Sequence, residues 1–117
     1  MGLDMYVNTA KTIEDDEPIN LCYWRKFNAL HNWMEQLYRA KGGDEDMFNC
    51  VRLPLTVDDL NALEEACSNK ELEPVEGFFF GSQDPVTNEE YDDLFKDIGK
   101  MKEAIRDGFI VYYDSWW

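Results

Sequence analysis

Near the start of the chain Leu3, Met5 and Val7 alternate with Asp4, Tyr6 and Asn8, the period of two expected of a strand with one buried face. EDDEP interrupts the pattern as a solvated acidic loop. From about residue 20 to 40 the period changes. Tyr23, Phe27, Leu30, Met34 and Leu37 recur at spacings of 4, 3, 4 and 3, which places all five on one helical face. This first helix is expected to end near Gly42 and Gly43. CVRLPL, 50–55, alternates again through Val51, Leu53 and Leu55. Pro54 confines that strand to a sheet edge or a strand end, because proline cannot donate a ladder hydrogen bond.

Thr56 and Asp59 have the spacing of an N-cap pair and open a second helix whose stripe is Val57, Leu60, Leu63 and Cys67. SNKELEP closes it. GFFFGS, 77–82, is too short for a helix and reads as a buried strand or a tight ligand-facing turn. Thr87 and Glu90 form a capping box for a long third helix carrying Tyr91, Leu94, Phe95, Ile98, Met101 and Ile105, stopped by Gly108. FIVYYDSWW makes the final strand and a tail. The expected order is β-α-β-α-β-α-β. It predicts a single α+β domain over 1–117, with three helices covering one face of a four-stranded, mainly antiparallel sheet.

Composition sharpens this picture. At 117 residues and 44% hydrophobic, the chain can bury one sizeable core. Cys22, Cys50 and Cys67 are odd in number and far apart, which suits a reducing cytosol better than a disulfide framework or a zinc site. MGLDMYVNTAK carries no apolar run long enough for a signal peptide or a membrane span, so the expectation is a soluble cytoplasmic protein. The net charge of -14 opposes direct binding to nucleic acid or to anionic lipid. Segment 22–41 runs the other way, with Arg25, Lys26, Arg39 and Lys41 against Glu35 alone.

On the predicted first helix Trp24, Asn28, His31 and Glu35 form a second stripe beside the core stripe. Tryptophan offers a flat apolar face, and histidine can exchange a proton near neutral pH with Asn and Glu orienting it. The bland reading is a helix boundary in which Trp24 packs partly and His31 satisfies a backbone group. No nucleophile motif accompanies His31, and a single histidine argues against a conventional metal centre. Asp44, Glu45 and Asp46 do not meet the calcium-loop pattern. In the third helix Glu89, Glu90, Asp92 and Asp93 answer the helix dipole, as Lys102 and Arg106 do at its other end. The unneutralised acids are then mainly Glu14, Asp15, Asp16 and Glu17, Asp44, Glu45 and Asp46, and Glu71, Glu73 and Glu76. DSWW presents Trp116 and Trp117 as interface anchors, or as side chains that fold back into the core.

MGLDMY, YWRKFNALHNW, GFFFGS and the ending IVYYDSWW together resemble a family of small uncharacterised proteins carried by bacteriophages and prophages. No single motif in that set is catalytic. The resemblance implies a setting, an accessory protein made in the cytoplasm of an infected bacterium. Small acidic phage proteins there often bind host proteins, including CRISPR effectors, restriction enzymes and transcription machinery. The leading expectation is a non-enzymatic inhibitor of a host defence or nucleic-acid-handling protein, using no cofactor. Its partner-binding residues are Trp24, Arg25, Asn28, His31, Trp116 and Trp117, and its acidic loops steer. The alternatives are a small enzyme or ligand-binding domain with a pocket between His31 and GFFFGS, and a structural virion component.

Overall fold

The computed structural model describes residues 3–72 and 86–117. Their elements run β1 (Asp4–Ala10), β2 (Ile19–Arg25), α1 (Asn28–Ala40), β3 (Leu53–Leu55), α2 (Val57–Ser68), α3 (Asn88–Arg106) and β4 (Ile110–Trp116). The four strands form one sheet in the order β2-β1-β4-β3, and every neighbouring pair is antiparallel. The expected α+β class, antiparallel sheet and three helices are all present. The connectivity differs, because β1 is followed by β2 rather than by a helix. GFFFGS, expected as a strand or turn, lies outside the described residues.

The error sits in residues 20–27. Ile19, Tyr23 and Trp24 are strand formers, and INLCYWR pairs with β1 as a hairpin, with a bulge at Leu21 between the Val7/Cys22 and Asn8/Asn20 pairs. Lys26 then takes the left-handed conformation at φ 57°, donates its backbone N–H to the carbonyl of Leu3, and separates strand from helix. The helical spacing is real from Phe27 onward. Tyr23 matches it only because it happens to lie four residues earlier, and it is half exposed rather than in the core.

One face of the sheet makes the core. Leu3 and, from β1, Met5 and Val7 join Cys22, Leu53, Leu55, Val111 and Tyr113 and pack against Leu30 and Met34 of α1, Leu60 and Leu63 of α2, and Leu94, Ile98 and Met101 of α3. Burying such side chains contributes roughly 1.5–3 kcal/mol each. Pro54 sits on the edge strand, as its missing N–H requires, with Lys41 donating to its carbonyl at 2.8 Å and to the Asp59 carboxylate. The predicted N-cap pair Thr56 and Asp59 and the predicted box Thr87 and Glu90 both form, each as a complete capping box.

Helix α3 closes with Gly108 N–H donating to Ile105 O and Phe109 N–H to Ala104 O, with Gly108 at φ 93°. A side chain there is strained by the backbone itself, since nothing lies within 4 Å of where a Cβ would stand. Gly108→Ala should therefore lower stability by about 1 kcal/mol without altering the fold, seen as a reduced melting temperature with an unchanged circular dichroism spectrum.

Candidate functional site

The residues singled out from the sequence divide between an interior cluster and an open sheet face. His31 is 2% exposed and Asn28 is fully buried, so α1 carries them inward instead of presenting them as a surface stripe. Tyr113 of β4 lies against His31, with its hydroxyl 2.6 Å from Nδ1. Burial lowers the His31 pKa from 6.5 to about 4, and burial raises that of Tyr113 well above 10. At neutral pH both groups are therefore uncharged, and a neutral hydrogen bond joins the phenol to the imidazole. Phe48 lies 5.2 Å from the imidazole centre, and Trp117 meets it edge-on at 6.5 Å.

Trp117 is built into the same cluster. Asn49 Nδ2 donates to its carbonyl and Asn49 Oδ1 accepts its N–H, at 2.9 and 3.0 Å, while the indole N–H donates to the carbonyl of Phe48 at 3.0 Å. Trp24 and Cys22 point to the helix side of β2, towards the Asp97 carboxylate of α3. Burial raises the pKa of Asp97, with Lys100, Trp24 and Cys22 acting the other way. His31 is thus buried, while Trp24 and Trp117 are half-buried and packed against the core.

The opposite face of the sheet is different. Register places Arg25, Asp4 and Trp116 in one row, and Tyr23, Tyr6 and Asp114 in the next. Trp116 is 65% exposed and Tyr23 50%. The Tyr23 hydroxyl donates to Asp4 Oδ1 at 2.7 Å, and the Tyr6 and Tyr23 rings sit 5.3 Å apart. Both tyrosines are therefore held in place before any partner arrives. Of the predicted anchors, the structure brings Arg25 and Trp116 together, about 10 Å apart across β1. Tyr6 and Tyr23 were not anticipated as members. The alternation of Tyr6 with Met5 and Val7 was the available signal for the first, and the helix reading of 20–27 concealed the second.

A third row, Asn20, Asn8 and Tyr112, is followed by the loop of residues 11–18. Arg52 stacks over Tyr112 at 5.0 Å and donates to the carbonyls of Ile13 and Asp15 at 2.7 and 3.1 Å. It ties the acidic stretch to the aromatic face. Glu14, Asp16 and Glu17 are exposed there, while Asp15 is half-buried and accepts the N–H of Glu17. Asp44, Glu45 and Asp46 are also exposed, on a loop held by Arg39 and by the Tyr38 hydroxyl.

The cleft beside α1, about 130 Å³, is lined by Ala29, Asn32, Trp33, Gln36, Glu71 and Leu72 rather than by His31. Among the described residues no three His, Cys, Asp or Glu side chains are grouped to hold a metal ion, and no helix is long and apolar enough to cross a membrane. No known family, curated protein or solved structure matches the chain.

Two outcomes follow from the interior cluster. Because the unfolded chain takes up a proton at His31 near pH 6.5 and the folded one only near 4, the folded state loses ground as pH falls through that window. The stability advantage over His31→Phe should be constant above pH 7 and shrink by on the order of 3 kcal/mol by pH 4, as urea titrations at stepped pH would measure. Asn49→Ala, which removes both side-chain bonds to Trp117, should cost about 1–3 kcal/mol and lower the melting temperature.

Proposed function

We propose that the protein is a non-enzymatic inhibitor that docks its open sheet face on a host protein that handles nucleic acid, in the setting of an infected bacterium. The observation that carries this reading is the pairing of Trp116 with Arg25 across Asp4, on a face where Tyr6 and Tyr23 are already ordered. Tryptophan, tyrosine and arginine dominate the energetics of protein interfaces, and a pre-ordered anchor loses little freedom on binding. The net charge supports the choice of partner. A protein that grips nucleic acid presents a basic groove, and a chain of -14 is drawn to it and kept off the nucleic acid itself. Arg52 holds Glu14, Asp16 and Glu17 beside the aromatic rows, so attraction and anchoring act on the same side of the molecule.

The two contributions separate experimentally. Affinity capture from infected cells should be run with the wild type and with Trp116→Ala and Arg25→Glu in parallel. A host nucleic-acid-handling protein should be retained by the wild type and lost from both variants, each costing about 2 kcal/mol or more of binding. Added salt should slow association far more than it speeds dissociation. Retention of the same proteins by Trp116→Ala would remove the sheet face from the interface.

A further inference from the structure

Tyr112 stands apart from the other side chains of the open sheet face. The helices pack on the opposite side, and Tyr112 is not among the residues of the hydrophobic core, yet it is fully buried. Its hydroxyl is buried with it and has no hydrogen-bond partner. A polar group shut away from water in this way costs free energy that exposure would return. Arg52 lies over the ring at 5.0 Å, and its Nη1 donates to the carbonyls of Ile13 and Asp15 at 2.7 and 3.1 Å. Arg52 precedes the edge strand β3, so residues 11–18, which join β1 to β2, reach across β4 to meet it.

This loop is held lightly. Its other hydrogen bonds among the described residues run within it, from Asp15 N–H to Thr12 O at 3.2 Å and from Glu17 N–H to Asp15 Oδ1 at 2.9 Å. Ile13 borders a hollow of about 500 Å³ and is not packed into the core. Arg52 is exposed and enters no ion pair among the described residues, so water competes for its donors. A covered state that strands a hydroxyl and an open state that wets it therefore lie close in free energy, the condition under which a ligand selects between them.

The charge on the loop says which ligand. Glu14, Asp16 and Glu17 are exposed and enter no ion pair among the described residues, and Lys11 is the loop's one cation. A basic surface pulls on those carboxylates, and so on the loop that carries them. What lifting the loop would bare is fixed by the register. Tyr6 pairs with Asp114 and Asn8 with Tyr112, which sets Tyr112 on the diagonal from Tyr6, about 7–8 Å away.

We propose that residues 11–18 are a cover latched by Arg52, and that a basic protein surface lifts it and takes Tyr112 as a third aromatic anchor beside Tyr6 and Tyr23, an extension of the docking face proposed above and resting on it. The free protein then shows only part of its interface, and the carboxylates that steer a partner also open the rest.

The test needs no host protein. N-acetylimidazole acetylates tyrosine hydroxyls that solvent reaches, and peptide fragmentation assigns the sites. In the wild type Tyr23 should react while Tyr112 and the interior Tyr113 stay protected. Arg52→Gln should speed acetylation of Tyr112 about tenfold and leave Tyr113 protected. Hexa-arginine amide with a blocked N-terminus, which has no amine for the reagent, should do the same to the wild type at low salt. It should have no such effect on a variant combining Glu14→Gln, Asp16→Asn and Glu17→Gln. A Tyr112 as reactive as Tyr23 in the wild type, or one as protected in Arg52→Gln as in the wild type, overturns the cover. If Tyr113 reacts along with Tyr112 in Arg52→Gln, the variant has loosened the sheet, and the peptide on the wild type decides. No effect of the peptide, or an equal effect on the neutralised loop, overturns opening by a basic surface. Failure of these measurements leaves docking through Trp116 and Arg25 standing, and failure of Trp116→Ala to release a captured host protein leaves these measurements standing.

Discussion

The structure hangs on the pairing of β1 with β4. Seven consecutive pairs, from Asp4 with Trp116 to Ala10 with Ile110, join segments about 100 residues apart and form the middle of the sheet. Among the described residues β2 is attached only to the outer edge of β1, and β3 only to the outer edge of β4. The same register sets Val7 beside Tyr113 on the helix side and Asp4 beside Trp116 on the other. A slip of one residue would exchange the two faces, placing Tyr112 under α1 in place of the phenol that meets His31. The interior hydrogen bond and the exterior aromatic rows are thus consequences of one alignment.

Much of this was legible in local pattern. The alternation in LDMYVN, the edge proline in β3, both capping boxes and the glycine after α3 each follow from short-range chemistry that tertiary packing did not override. What could not be read was β2. CYWRKFNALHNW satisfies a helical period throughout, and only the partner strand, far from it in the fold's logic though near in sequence, makes Ile19–Arg25 extended. That one misreading propagated to the site. It moved Trp24 onto a helix, gave Tyr23 to the core, and placed Asn28 and His31 on a surface stripe that the fold instead buries. Arg25 and Trp116 were identified individually, but their adjacency depends on strand order, which sequence spacing does not encode.

The two faces of the sheet divide the labour. The helix side is closed by aromatic packing around His31, where Tyr38 and Phe48 stack at 5.1 Å and Phe48 and Tyr113 at 5.8 Å. The far side carries a buried Tyr112 ring under Arg52 at one end and exposed rings at the other. On the strands Asp4 lies opposite Arg25, so unlike charges neighbour each other at that end of the face. Such an arrangement confines recognition to a few side chains without giving up a neutralised, well-packed framework.

The central place of β4 also governs how the protein comes into being. A ribosome adds roughly 5–20 residues per second, so on the order of 10 s separates emergence of β2 from emergence of the strand that completes the sheet. The β1–β2 hairpin can form within microseconds, yet through that interval the inner edge of β1 has no strand to pair with. Neighbouring nascent chains on a polysome present the same bare edge. Their shared negative charge keeps those edges apart until each chain supplies its own β4.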